Sequence, residues 1–537
     1  MLAAACGGAK SSPPTTSISV KPAKPPANPN AFPVLHVAED TAIDYLDPGL
    51  AYYPESWNIL WNVYLPLLGY KHVGGPGGAT IVPYLAQRLP TISRDGKTYT
   101  LVLRKGLTYS NGAPVKASDF KATIERDFKF DSPGTGFFTN IVGADRFGQS
   151  KHGHIPGIVA DDPTGRITIT LRRPQGDFEN VLASEYAAPV PASAPAQDTS
   201  IHPLPSTGPY VLRSYKPGAR VVETRNPHFD AAAFGGNVPR GNPDEIVWDI
   251  VGNAGLALQR TIAGQDDWDP QPIPAKRLAA TRARHGDQLK IFTTPNTYYF
   301  FMNVRMPPFD KVEVRRAVNY AIDRRAVAAI YGGLAVPTEN ILPPGYPQFR
   351  AHALYPYDLA KAKQLIRAAG ARGARVKVWT DDTGLDPTVT DYLVSALNSI
   401  GLRAKKHVVG SANYWTTIGN EATKAQVGFA DWFQDYPHPL DWFGVLLNGE
   451  QLAKQFNSNY AGYKAADAEI RALRSKTRLT PSVNRQWAAL DRRVMEDAPW
   501  APFANRQFTD FFNARVDLGC YENHILYGFD YATICVQ

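Results

Sequence analysis

Cysteine is scarce in this chain. Only Cys6, Cys520 and Cys535 occur in 537 residues, and no two form a CxxC pair, which argues against a cysteine-rich zinc site. Past the N-terminus no apolar run is long enough to cross a bilayer, a task that takes about eighteen residues. The net charge is +8, yet no block of like charges stands out. Nucleic-acid binders gather their cations on one stripe, and here Lys and Arg are spread along the whole length. Motifs that carry their own chemistry are missing as well. The glycine run VGGPGG at 73–78 lacks the Gly-Lys-Ser/Thr ending of a phosphate loop and reads as a flexible loop, and neither GxSxG nor HExxH occurs. His152 and His154 in KHGHIPG have no Cys, Asp or Glu at ligand spacing and read as a surface loop. The sequence calls for no metal and no cofactor, and no repeat of fixed period appears.

Apolar material is plentiful: 44% hydrophobic against 20% charged residues, with 10 Trp and 26 Tyr. That suits a globular protein with more than one core, and the length predicts several domains. The dipeptide Asp95-Gly96 predicts a hairpin turn leading into YTLVLRK, and ITITLRRP from Ile167 predicts a further strand. A helix is predicted from Ser118 as N-cap, with Phe120, Ile124 and Phe128 on one face. TGPYVLRSYKPGARVVETRNP reads as a hairpin around Lys216-Pro217-Gly218. In the second half, Asp310 is expected to cap a helix whose apolar stripe is Val314, Ala317, Val318, Ala321 and Ile322. Another helix runs from Asp358 to Gly370. RVKVWT, a helix with Asp386 as N-cap, Pro387 at its first position and Gly401 as stop, and LRAKKHVV then form a strand–helix–strand unit over 375–409. A crossover of that length implies a parallel pair, so this half is an α/β lobe.

Beyond that unit stands WFQDYPHPLDWF, Trp432 to Phe443, with Asp435 set among large rings. A carboxylate there is costly without a partner. One reading is a turn-capping aspartate before Pro437. Another pairs Asp435 with Asp441 as the two acids of a secreted glycoside hydrolase, with aromatics as stacking platforms. A third supplies the partner from a ligand. Asp435 follows the strand candidate QVGFADW, and ligands of open α/β sheets bind where strands leave the sheet.

The first residues, MLAAACGGAKSSPPTTSISV, resemble the end of a bacterial lipoprotein signal, with Leu2-Ala3-Ala4-Ala5-Cys6 as a lipobox and no charged region before it. By that resemblance Cys6 carries lipid, anchors the protein to the outer face of the cell membrane, and is followed by a proline-stiffened tether. Cys520 and Cys535 then remain as a pair that an oxidising compartment would join in a disulfide.

Six segments in order resemble the family 5 extracellular solute-binding proteins, the oligopeptide- and dipeptide-binding receptors of ABC importers. They are TAIDYLDPGLAYYPESWNILWNVYLPLLGY, PYLAQRLPTISRDGKTYTLVLRKGLTYSNGAPVKASDFKATIER, STGPYVLRSYKPGARVVETRNPHF, YYFFMNVRMPPFDKVEVRRAVNYAIDR, YPYDLAKAKQLIRAAG and DWFQDYPHPLDWF. The resemblance covers about residues 34–530. It implies an α/β, two-lobed clamshell of the type II periplasmic-binding-protein class. Residues 1–32 would be signal remnant and tether, 33–290 lobe one with an extra subdomain at about 60–165, 291–505 lobe two, and 506–537 the return to lobe one. It implies no catalysis but capture of a peptide, closure, and delivery to a permease driven by separate ATPase subunits. By the same resemblance Asp435 takes the peptide's α-ammonium, Trp432 lines a side-chain pocket, and Phe433 offers main-chain groups to a peptide docking as an added strand. Leu50 and Ala51 would pair along the peptide from lobe one, Trp415 would be a second pocket tryptophan, and Tyr436 a wall. His438 departs from the acidic or amide residue of many relatives. The fold also serves relatives that bind oligosaccharides or nickel chelates, which is the alternative for this chain. A monomer is expected.

Overall fold

The computed structural model describes residues 34–39, 43–453 and 457–536. Two large sheets organise them. The first has seven strands in the spatial order Leu289–Phe292, Phe508–Phe512, Trp268–Asp269, Val34–Glu39, Glu245–Ile250, Arg220–Arg225 and Tyr210–Lys216. Val34–Glu39 runs parallel to Glu245–Ile250, and the last two strands form the hairpin predicted around Gly218, whose φ of 66° a glycine accepts without strain. The second sheet has six strands in the order Ala335–Pro337, Trp500–Arg506, Asn296–Met302, Val427–Phe433, Arg375–Thr380 and Arg403–Val408. The chain leaves the first sheet after Phe292, enters the second at Asn296, and returns between Arg506 and Phe508. A smaller four-stranded sheet, Thr91–Ile92, Thr98–Val102, Arg166–Thr170 and Ile158–Asp161, packs with the helix Ala117–Lys129 beside the first.

The second sheet is buried on both faces, and side chains alternate between two cores. On Asn296–Met302, Tyr298, Phe300 and Met302 enter one core with the stripe Val314, Ala317, Val318, Ala321 and Ile322. Tyr299 and Phe301 enter the other with Trp442, Trp487 and Trp500. The same alternation sends Phe429 and Phe433 to the first face and Ala430 and Trp432 to the second. The unit over 375–409 is as predicted: Arg375–Thr380 and Arg403–Val408 are parallel across the helix Asp386–Ser399.

Three caps move by one or two residues. Ser118 lies inside its helix, which begins at Ala117. Asp119 reaches back to the Lys116 N–H (2.9 Å), while the Ser118 hydroxyl is held by Asp162 (2.8 Å). Asp310 precedes a helix that begins at Val312, and the Arg315 guanidinium claims the Phe309 carbonyl there (2.8 Å). Asp386 occupies the first turn of its helix and Leu385 is the cap. Asp358, where the next helix was expected to start, is its cap and accepts from the Lys361 N–H (2.8 Å).

The glycine run at 73–78 is not a free loop. The Gly75 N–H donates to the Asn523 carbonyl (2.9 Å), and a Cβ on Gly78 would sit 2.7 Å from the His524 ring, so the glycines let the C-terminal segment dock. His154 lies on the surface and pairs with Glu125 (3.0 Å). Cys520 and Cys535 are disulfide-bonded with Cα atoms 5.8 Å apart. Cys6 lies outside the described residues. Among the described residues no helix is long and apolar enough to cross a membrane.

Candidate ligand-binding cleft

Asp435 stands where the strand Val427–Phe433 leaves the second sheet. That strand pairs with Asn296–Met302 along its length, but with Arg375–Thr380 only at Val427 and Gly428. Its outer half therefore has an open edge. The Gln426 carbonyl accepts from the Asn303 N–H (2.8 Å) and the Gln434 N–H donates to the Pro295 carbonyl (3.2 Å), so even-numbered residues face the inner neighbour. Odd-numbered residues turn outward. The Phe429 carbonyl takes the Tyr414 hydroxyl (2.6 Å), and the main-chain groups of Asp431 and Phe433 face the open edge.

The aspartate's surroundings are acidic. Its N–H donates to Asp441 Oδ2 (2.9 Å), which also takes the Trp432 indole N–H (3.3 Å). Its carboxylate receives one long hydrogen bond, from the Tyr52 hydroxyl of lobe one (3.4 Å). Among the described residues no Lys, Arg or His forms an ion pair with either carboxyl. Burial pushes Asp435 up to about 7 against the hydrogen bond from Tyr52. Burial, then the charge of Asp435, holds Asp441 well above the usual carboxylate range. Asp441 is fully buried and its Oδ1 has no hydrogen-bond partner. Asp441 is sealed from solvent, which does not suit an acid that activates water across a sugar.

The other expected residues divide. Trp432 is half-buried beside Asp435, and the Phe433 ring packs against Phe508 (5.6 Å) while its main chain faces the edge. Trp415 is 38% exposed on the helix Ser411–Ile418 and stacks on Tyr460 (5.9 Å). Leu50 and Ala51 are not an open pairing edge. Both N–H groups donate to the Asp47 carbonyl (2.9 and 3.0 Å), and the Ala51 carbonyl accepts from Trp57 (2.9 Å) and Tyr186 (2.8 Å). Tyr436 lines a pocket between the lobes but is almost fully buried. It is buried in lobe one's core, donates to Asp177 (2.7 Å) and meets the Phe137 ring edge-on (5.9 Å), so it joins the two lobes. His438 is also buried; desolvation pushes it down to about 4, and its Nδ1 accepts from the Leu440 N–H (3.1 Å). The departure at 438 is thus a turn-forming contact. Tyr52, which follows Leu50 and Ala51, was not among the expected residues.

Comparison with known families matches residues 80–453 to the bacterial extracellular solute-binding proteins, family 5 (middle region). The chain belongs to that family. Among curated relatives, the glutathione-binding protein GsiB of Salmonella choleraesuis is 27% identical over 429 residues, covering 77% of this chain and 78% of the relative. Among solved structures, clavulanic acid biosynthesis oligopeptide binding protein 2 superposes with a TM-score of 0.87 at 25% identity, covering 94% of this chain and 95% of the other. DppA from Helicobacter pylori in complex with the peptide STSA superposes with a TM-score of 0.76 at 20% identity, covering 94% and 98%. This family 5 member has the type II periplasmic-binding-protein fold, and its relatives bind solutes outside the cytoplasm.

Proposed function

We propose that this family 5 protein is the receptor of an ABC importer that captures short peptides by their free amino end and delivers them to a permease. The carrying observation is Asp435, a carboxylate with no ion-paired cation among the described residues, at the end of an open strand edge. An ammonium there completes a charge-assisted hydrogen bond, while Asp431 and Phe433 offer main-chain groups to an added strand. Side chains of the ligand then lie among Trp432, Tyr52 and Trp415 and are loosely specified. The names of relatives support this reading, since several are oligopeptide-binding and two hold a peptide. Glutathione is a further candidate ligand, because the curated relatives are named for it and it too carries an α-ammonium. The protein does no covalent chemistry in this reading. It works as a monomer, held to the outer membrane face by lipid on Cys6, with ATP hydrolysed by separate subunits.

The test is calorimetry with free and N-acetylated forms of the same peptides. Free peptides are expected to bind and acetylated ones to fail. Asp435→Asn is expected to weaken binding of the free peptide by about 2–5 kcal/mol. Equal affinity for both forms, or an undiminished Asn variant, would overturn the reading. Binding of oligosaccharide or nickel chelate alone would keep the fold and change the ligand.

A further inference from the structure

The peptide reading leaves Asp441 without a role, yet it lies directly beneath the ammonium site. Its Oδ2 fixes the Asp435 main chain and the Trp432 indole, and its Oδ1 is sealed from solvent with no donor (atoms that water would otherwise satisfy). We propose that Asp435 and Asp441 form a carboxyl pair that holds one proton in the ligand-free cleft, and that capture of an ammonium expels this proton to solvent. This inference rests on the peptide reading and adds a proton to it.

The surroundings leave little choice. From lobe one, Tyr52 reaches Asp435 with a neutral hydroxyl, and Tyr70 and Tyr186 add further neutral phenols. Asp177 contributes a third buried carboxyl, one oxygen bonded to Tyr436 and the other without a partner. From lobe two, Tyr346, Tyr436 and Tyr460 are neutral phenols, and His438 is held neutral by burial. Arg474, on the helix that adjoins Asp441, is committed to Glu450 (2.6 Å). Two buried carboxyls joined through the Asp435 N–H, with no paired cation among the described residues, do not both keep their charge, so the pair retains a proton. When an ammonium arrives, a carboxyl O–H bond breaks, the carboxylate pairs with the ammonium, and the proton leaves for buffer. The balance needs no other reactant.

The sign follows from linkage. Asp435 stands at about 7 without ligand, and an adjacent cation lowers it. Affinity is therefore full above that value and falls up to about tenfold per pH unit below it. At about pH 8 the ligand's own amine begins to lose its proton, so release gives way to uptake.

Calorimetry of a free-amine peptide in two buffers of different ionisation enthalpy counts the protons. Release approaching one per peptide is expected near pH 6, falling toward zero by about pH 8. In Asp441→Asn an amide oxygen still accepts from the Asp435 N–H and the indole, and release near pH 6 is expected to drop below half the wild-type value. Tight binding near pH 6 with no proton released would overturn the proposal while leaving the peptide reading intact. Undiminished release in Asp441→Asn would remove Asp441 from it. Failure of free-amine peptides to bind even at about pH 8 would overturn the peptide reading and this proposal with it.

Discussion

Asp47 is fully buried and both its oxygens are occupied. Arg126 grips it with two bonds (3.0 and 2.5 Å), and Thr199 and the Gly49 N–H fill the remaining positions. Breaking one side of such a pair strands a buried guanidinium, so Asp47→Asn is expected to cost about 3–5 kcal/mol. A urea midpoint close to wild type would show that Arg126 finds another acceptor. The resemblance located this Leu-Asp-Pro segment but assigned its function to the neighbours, Leu50 and Ala51. The reason is separation: Arg126 and Thr199 lie 79 and 152 positions away, and nothing local announces them. Asp435 was legible because a carboxylate among rings demands a partner wherever the chain goes. Tyr436 was not, since a phenol serves equally well as a cleft wall or as a bridge to Asp177.

Helices illustrate the same limit one level up. Sequence pattern identified the apolar stripes and the strand–helix–strand unit correctly, because periodicity is a property of the segment itself. Caps depend on competitors. Asp358 meets none and accepts from Lys361, whereas Ser118 is drawn to Asp162 and Arg315 reaches the carbonyls beside Asp310. Two substitutions separate a true cap from an apparent one. Asp358→Ala is expected to lose about 1 kcal/mol. Asp310→Ala, at an exposed side chain with no hydrogen bond among the described residues, is expected to lie within about 0.5 kcal/mol of wild type. Chemical denaturation of the two variants checks both, and equal losses would mean that Asp310 stabilises its helix through charge alone.

At the scale of the whole molecule, the order of the segments was enough to predict two lobes, but not the contacts that bring them together. Those contacts join residues between 91 and 298 positions apart. Gln434, just past the second sheet, donates to the Ile525 carbonyl (2.9 Å), the Gly176 N–H donates to the Arg474 carbonyl (2.7 Å), Arg173 meets Glu450 (3.4 Å), and Tyr436 donates to Asp177 (2.7 Å). The Tyr436 bond is the most sheltered, between two buried side chains immediately behind Asp435. In a closed cleft the loss of its hydroxyl strands a buried carboxylate, while in an open one Asp177 regains water. Tyr436→Phe therefore penalises the closed state selectively, by about 1–3 kcal/mol. A ligand that binds the closed state loses affinity by the change in that state's population. The expected result is weaker peptide binding, roughly fivefold or more, with a larger radius of gyration in X-ray scattering of the free protein. Wild-type affinity in Tyr436→Phe would mean that ligand contacts alone close the lobes, and that the bridge to Asp177 merely follows.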